Sequence, residues 1–515
     1  MESFDNEKVG ESPVLRICFF YNPEERKKIV RNQNKSSKMT KSKPVKRWLA
    51  LVVLCLGMLM IVLDTTIVNV ALPSIRESLN FNETSLAWIV NAYLLTFGGF
   101  LLLGGRLSDI FGHRRLFLIG ITLFTLASLA CGLAITQGFL IVARGVQGIG
   151  GAIVSAVALS LMMDLFTEPA ERAKAMGVFG FVAAGGGSIG VLLGGVLTSV
   201  LNWHWIFLVN IPVGVLVFVL SLILLPGTRV HAFKGRLDIA GALTVTTSLM
   251  LAVYAIVNGT NTGWMSGQTI GLLATALVLM MIFLLIEARV SAPLMPLGLF
   301  RLRNVATANA VGVLWAAAMF AWFFLSALYL QLVLRYSPMQ VGLAFLPANL
   351  IMAIFSLGLS AKLIMRFGIR IPLSIGLFLA AIGLVLFARA PVDGNFVFDV
   401  LPSMILLGLG AGIAFNPMLL AAMSDVAPTE SGLASGIVNT SFMMGGALGL
   451  AILASLAASR TSSLLSSGSS HLIALNAGYH AAFFMGAFFA ALAAVLGAAL
   501  LRRPKLNGTK VKSAR

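Results

Sequence analysis

The sequence predicts an all-α protein embedded in a membrane, built from two related six-helix halves with two extra helices between them. Three observations carry that expectation. Of 515 residues, 58% are hydrophobic and 11% charged, whereas about a quarter of a soluble domain is charged. Fourteen apolar runs have the length of roughly twenty residues that a membrane-crossing helix needs. Finally, stretches of the first half recur in outline in the second.

Residues 1–47 are polar and basic, with no apolar signal-peptide core, and the Arg16–Phe20 run "RICFF" is too short to span. Met39, followed by a basic stretch and the first span, reads as the expected true start. Six runs follow at 48–72, 86–105, 116–135, 138–163, 175–200 and 204–225, making a first bundle over 48–225. A central pair at 238–257 and 268–288 has no counterpart in either half and reads as an insertion over 238–288. The last six runs, at 304–333, 339–361, 371–390, 400–423, 432–458 and 479–501, make a second bundle over 304–501. A Ser-rich loop covers Arg460 to Gly478, and residues 502–515 form a basic tail.

Charge sets the orientation. With the N-terminus in the cytoplasm, 32 of the 37 Lys and Arg fall on that side, and Arg76, Arg335, Arg389 and Arg460 fall on the other. Arg144 alone lies inside a span. This asymmetry places both termini in the cytoplasm and the chain in the cell membrane. It also accounts for the net charge of +18 without a nucleic-acid partner.

The repeat is visible in two places. "MMDLFTEPAERAKAMGVFGFVAAGGGSIG" (Met162–Gly190) resembles "MSDVAPTESGLASGIVNTSFMMGGALG" (Met423–Gly449), which aligns Gly186/Gly190 with Gly445/Gly449. "FGHR" at Phe111–Arg114 recurs as "FGIR" at Phe367–Arg370. Repeated halves that meet at a mid-membrane site are a transporter architecture.

One acid stands out. In "IVLDTTIVNVALP" (Ile61–Pro73), Asp64 is the one acidic residue of 19 at hydrocarbon depth. Its cost there marks an ion or substrate pathway, or else a packing pair. Arg144, in "ARGVQGIGGAIVSA", lies at similar depth: about 8 Å from the outer boundary, against about 12 Å for Asp64. A buried guanidinium cannot shed its proton and needs a partner. The two are expected to pair.

Other motifs are structural or conformational. "GGRLSDIFGHRR" (Gly104–Arg115) sets Gly105 and Gly112 beside Arg106, Asp109 and Arg114, which reads as a conformational latch. Gly186, Gly190, Gly194 and Gly195 give the fifth span a face for close packing and bending. Pro417, after Asn416, kinks a second-half span. Asn91, Tyr93, Trp322, Tyr329, Gln331 and Asn416 are candidates to line a cavity for flat cationic molecules; lipid-facing and core positions remain open for the aromatics. The cysteines Cys18, Cys55 and Cys131 and the five dispersed histidines show no metal-ligand spacing. No phosphate-binding loop is present. The sequence therefore implies no enzyme, no cofactor and no metal, and it sets no oligomeric state beyond compatibility with a monomer.

These motifs together resemble the major facilitator superfamily, and within it the fourteen-span branch of drug:proton antiporters, from about Arg47 to Arg502. "LDTTIVNVALPSI" is similar to that branch's first-span signature, "GGRLSDIFGHRR" to the shared loop signature and "ARGVQGIGGA" to the fourth-span arginine motif. "WHWIFLVNIPVG" (Trp203–Gly214) and "LYLQLVLRYSPMQVGLAFLP" (Leu328–Pro347) resemble two further patterns of the branch. The resemblance implies the major facilitator fold and alternating access. It also implies export of drugs or other toxic, often cationic, small molecules against inward proton flux; the lone buried acid adds the expectation that substrate competes with the proton for Asp64. A dedicated exporter of one metabolite or self-made antibiotic would carry the same motifs; a non-transporting membrane sensor is the remaining alternative. Two positions depart from the pattern: Val191 stands where the fifth-span proline is usual, and His204 where an arginine is usual between two tryptophans.

Overall fold

The computed structural model describes residues 44–166, 168–226, 238–290, 293–426 and 431–502. The proposed start at Met39 and the basic tail after Arg502 lie outside them. Two compact units are distinguished, residues 1–50 and 51–515. In the first, the described part is the opening of a helix; the second holds the rest of the fold.

Fourteen principal helices follow one another, and among the described residues there is no strand. They are α1 (Pro44–Leu79), α2 (Trp88–Phe111), α3 (His113–Gly132), α4 (Gln137–Leu165), α5 (Pro169–Val200), α6 (Asn210–Leu224), α7 (Ile239–Thr262) and α8 (Gly267–Arg289). The second set is α9 (Arg303–Leu328), α10 (Pro338–Ile354), α11 (Arg370–Phe387), α12 (Leu401–Met423), α13 (Ser431–Ser466) and α14 (His471–Leu500). Among the described residues, twelve helices are long and apolar enough to cross a membrane, and Ile189–Val200 and Pro338–Ile354 are shorter apolar segments. The chain stays helical from Pro338 to Phe367: a π-turn at Phe355–Leu359 interrupts the α-helical hydrogen bonding without breaking the run expected over 339–361, and an amphipathic stretch, Ser360–Phe367, continues it.

Helix starts follow capping chemistry. Thr136 caps α4 by accepting from the Phe139 amide, and Ser337 with Gln340 makes a reciprocal capping box on α10. α5 runs unbroken from Pro169 to Val200, in keeping with the absence of an internal proline.

The packing repeats between the halves. α4 packs on α2 and α3, and α3 on α6; correspondingly α12 packs on α10 and α11, and α11 on α14. Gly186 and Gly190 of α5 meet α1 at Leu59, Val62 and Leu63, while Gly445 and Gly449 of α13 meet α9 at Val313 and Ala317. The aligned glycine pairs thus do the same work on equivalent helices: they let two backbones approach where a methyl would overlap. Gly112 and Gly368 also agree, at φ 86° and 76°, a left-handed conformation that favours glycine.

The halves join through two equivalent seams, α5 on α10 and α13 on α2. A methyl at Gly195 would lie 2.7 Å from the Pro338 carbonyl oxygen, and one at Gly98 would lie 3.2 Å from Met443 Cβ. The inserted helix α7 packs on both α2 and α13, and the Ser455 hydroxyl donates to the Ile256 carbonyl at 3.1 Å. α7 therefore touches a helix of each half.

Candidate functional site

Asp64 and Arg144 meet. Arg144 Nη1 lies 2.5 Å from Asp64 Oδ2, and the residues are 1% and 0% exposed. Two charges removed from water cost several kcal/mol each unless pairing and further hydrogen bonds replace the lost hydration. Here they do. Gln147 Nε2 and Asn210 Nδ2 donate to Asp64 Oδ1 at 2.7 and 3.1 Å. Arg144 also donates through Nη1 to Gln147 Oε1 at 2.7 Å and through Nε to the Ile89 carbonyl at 3.0 Å. Its guanidinium stacks 4.4 Å from the Tyr93 ring centroid, a cation–π contact that suits a desolvated arginine.

A second layer completes the cluster. Ser128 Oγ accepts from Gln147 and Asn210 at 3.1 and 3.0 Å and donates to the Phe207 carbonyl at 2.9 Å, which uses its full hydrogen-bonding capacity. Cys131 Sγ contacts Gln147 Oε1 at 3.6 Å. Five helices thus converge on one carboxylate: α1, α2, α3, α4 and α6. All three of the contacts that Asp64 receives come from donors. Two of them, from Gln147 and Asn210, fill the acceptor capacity of Oδ1, and the third, from Arg144, reaches Oδ2.

The helix carrying Asp64 is locally weakened. The Thr65 and Thr66 hydroxyls donate back to the Val62 carbonyl at 2.8 and 3.1 Å, a pattern that bends helices. Pro73 lies inside the same helix and deprives the Asn69 carbonyl of its i+4 partner.

Asp64 is fully buried among the first six helices. Trp322 and Tyr329 are core residues: Trp322 packs on Phe323 and Phe345 at 4.4 and 6.2 Å, and Tyr329 sits edge-on to Phe387 while its hydroxyl donates to the Pro391 carbonyl at 2.8 Å. Their large apolar rings fill the second half. Asn91 and Tyr93 are buried on α2, Tyr93 against Arg144, while neither amide atom of Asn91 has a hydrogen-bond partner. Half-buried Gln331 donates to the Val70 carbonyl at 2.9 Å, and Asn416 is half-buried in α12. Of the six residues, Asn91, Tyr93, Trp322 and Tyr329 are buried and Gln331 and Asn416 are half-buried. Pro417 frees the Ile413 carbonyl, which accepts instead from the Ser360 hydroxyl at 3.4 Å.

At the loop motif, nothing lies within 4 Å of a methyl placed on Gly105. Gly104 is the tightly packed glycine: a methyl there would lie 3.2 Å from Ile153 Cα. Arg106 is half-buried, Arg114 Nη2 donates to the Leu222 carbonyl at the end of α6, and His113 pairs with Asp164 at 2.8 Å. The Asp109 side chain lies outside the described residues. A methyl on Gly194 would lie 2.7 Å from the Ile67 carbonyl oxygen.

Sequence reasoning missed Gln147, Asn210 and Ser128. A signal was present for two of them: Gln147 and Asn210 are polar residues within the very motifs quoted, "ARGVQGIGGA" and "WHWIFLVNIPVG".

A duplicated bundle of membrane-crossing helices with an Asp–Arg pair buried inside one half has the architecture of a transporter. The chain belongs to the Major Facilitator Superfamily, whose sequence profile matches residues 54–450. It is 41% identical over 422 residues to the puromycin resistance protein pur8 of Streptomyces alboniger, covering 82% of this chain and 84% of that protein. It is 37% identical over 436 residues to the cephamycin export protein CmcT of Amycolatopsis lactamdurans, covering 84% and 89%. Among solved structures, the POT family transporter PepTSo superposes with a TM-score of 0.65 at 16% identity, covering 89% of this chain and 97% of that one. That likeness concerns the fold.

Proposed function

We propose that this protein exports drugs or antibiotics across the cell's cytoplasmic membrane, driven by protons moving inward. The termini lie in the cytoplasm, and the protein acts as a transporter without catalysing a chemical reaction. The observation that carries the reading is the enclosed Asp64 carboxylate, held by three donors from α4 and α6. The names of the relatives, which concern resistance to and export of antibiotics, support the substrate class.

Proton binding and the packing seen here oppose each other. A carboxyl that loses its counter-charge in a low-dielectric interior favours its neutral form. Protonation of Asp64 removes the charge that Arg144 pairs with, which weakens the hold of Arg144, Gln147 and Asn210 on the carboxyl. Because these side chains come from α4 and α6 while Asp64 belongs to α1, this loosens helices against one another. By linkage, a conformation that opens the network binds the proton, and one that closes it releases the proton. Gly186, Gly190 and Gly194 give α1 a smooth face on α5 along which to shift. The segment Gly105–Arg114, with Arg106, Asp109 and Gly112, acts as the latch between facings. The first bundle (48–225), the inserted pair (238–288) and the second bundle (304–501) are the moving parts.

A narrower reading has specific support: both relatives compared are named for single antibiotics, as a dedicated exporter would be. Proteoliposome efflux tests both readings. Export of a cationic dye and of puromycin, each accelerated by an imposed pH gradient, identifies a broad exporter; acceleration for one antibiotic class alone identifies a dedicated one. No gradient-dependent flux of any member of the panel refutes proton-driven drug export.

A further inference from the structure

Two hydrogen-bond donors of the second half are buried with no group to receive them. Trp322 on α9 and Asn349 on α10 are each 1% exposed. The Trp322 ring packs as a core residue, yet its Nε1 has no hydrogen-bond partner, and neither has Asn349 Nδ2. A buried donor without an acceptor keeps its desolvation cost. Phenylalanine and leucine would fill these places without that cost, so the two polar groups call for an explanation.

Both donors flank one aromatic cluster. The Trp322 and Phe345 rings are 6.2 Å apart, and Phe323 stacks on Phe345 at 5.6 Å. Asn349 follows Phe345 by one turn in α10, which places it on the same face about 6 Å further along the axis. The backbones of α9 and α10 barely touch, and these side chains fill the space between them. This face of α10 also turns toward the first half: a methyl on Gly342, two turns before Asn349, would lie 3.1 Å from the Val191 carbonyl oxygen of α5. Asn349 lies about 16 Å along the helix from Pro338, near the middle of a hydrocarbon core about 30 Å thick. The first half has a counterpart. Asn91, on the second helix of that half, is buried with both amide atoms unpartnered, and it lies two turns from Gly98, which meets α13.

We infer that Trp322 Nε1 and Asn349 Nδ2 form a substrate-binding subsite that takes the carbonyl, ether or ring-nitrogen acceptors of an aromatic compound. The inference rests on the export reading above and narrows its substrate class. An indole N–H and an amide NH2 can only donate, so the group they lack is an acceptor. A cation finds less here. No acid lies at this depth in the second half, and the stacked Phe323 and Phe345 turn their faces on each other. The site sits at the middle of the membrane, on a face turned to the other half, where a duplicated transporter holds its cargo. It is closed in this conformation, and the ligand enters when the side chains between α9 and α10 part.

Equilibrium binding to the full-length protein in detergent tests this apart from transport. Puromycin carries carbonyl, ether and ring-nitrogen acceptors, whereas tetraphenylphosphonium is a cation with no hydrogen-bonding atom. Asn349→Leu and Trp322→Phe should each weaken puromycin binding about five- to tenfold, the worth of one hydrogen bond, and leave any binding of tetraphenylphosphonium unchanged. Asn349→Leu should also melt no lower than the wild type, because the amide nitrogen gives up no bond in this conformation. Four results would each overturn the proposal: no puromycin binding to the wild type, unchanged puromycin affinity in either variant, equal losses for both ligands, or a lower melting temperature for Asn349→Leu. Gradient-driven flux, which decides the export reading, does not enter this measurement, so the two fail separately.

Discussion

Gln331, in the π-turn that ends α9, donates to the backbone carbonyl of Val70 on α1 at 2.9 Å. The two residues are 261 apart, a separation equal to that between the repeated Met162 and Met423. The bond joins the first helix of one half to the end of the first helix of the other. It is a direct polar tie between the halves, as is the Met339 N–H bond to Ser199 Oγ at 3.0 Å on the α5–α10 seam, and it lies beside a pocket lined by Pro73, Arg76 and Leu332.

Removing that tie should favour separation of the halves at this end. A neutral hydrogen bond contributes about 1 kcal/mol, equivalent to roughly a fivefold shift in a two-state equilibrium. A cysteine at Leu332 should then react about fivefold faster with a water-soluble maleimide in the Gln331→Ala background. An unchanged rate would show that the bond does not hold the halves together.

Arg144→Gln should destabilise the protein by about 3–5 kcal/mol, because it leaves an uncompensated buried carboxylate. Adding Asp64→Asn to the same chain should recover much of that loss, since an amide pair carries no charge to strand. Thermal unfolding in detergent checks both. A double variant no more stable than Arg144→Gln alone would mean that the residues contribute separately.

The glycines should divide sharply. Gly449→Ala drives a methyl into Ala317, and Gly190→Ala drives one into the Thr66 hydroxyl and the Leu63 carbonyl; each should cost about 1–3 kcal/mol, the usual range for overpacking. Gly105→Ala meets open space and should stabilise α2 by up to about 1 kcal/mol through helix propensity. Melting temperatures of the three variants decide the point, and equal losses at all three would contradict the packing described.

Much of the fold was legible in the sequence because the bilayer imposes it. Apolar length, the placement of Lys and Arg, and glycines recurring at a fixed offset are direct consequences of crossing hydrocarbon and of duplication. The Asp64–Arg144 pair was legible for the same reason, since two charges at matching depth have few ways to be tolerated there. The rest depends on direction around each helix, which span-scale hydropathy does not carry. Trp322 and Tyr329 could as well have lined a cavity as filled the core, and only helix rotation separates the two. Gln147 and Asn210 were overlooked because single amides near charged or aromatic motif residues draw little notice. Glu287 read as a span-end acid, the usual home of a solvated carboxylate. Its burial becomes visible only when the chain after α8 folds back and Met295 donates to it.

The central claim is that Asp64 carries the transported proton. The most direct test compares two transport modes of Asp64→Asn in proteoliposomes: efflux driven by a pH gradient, and exchange of labelled for unlabelled substrate without one. The account predicts that the variant loses gradient-driven efflux and keeps exchange, the retained exchange showing that the protein is folded and still alternates. Gradient-driven efflux at the wild-type rate would contradict it.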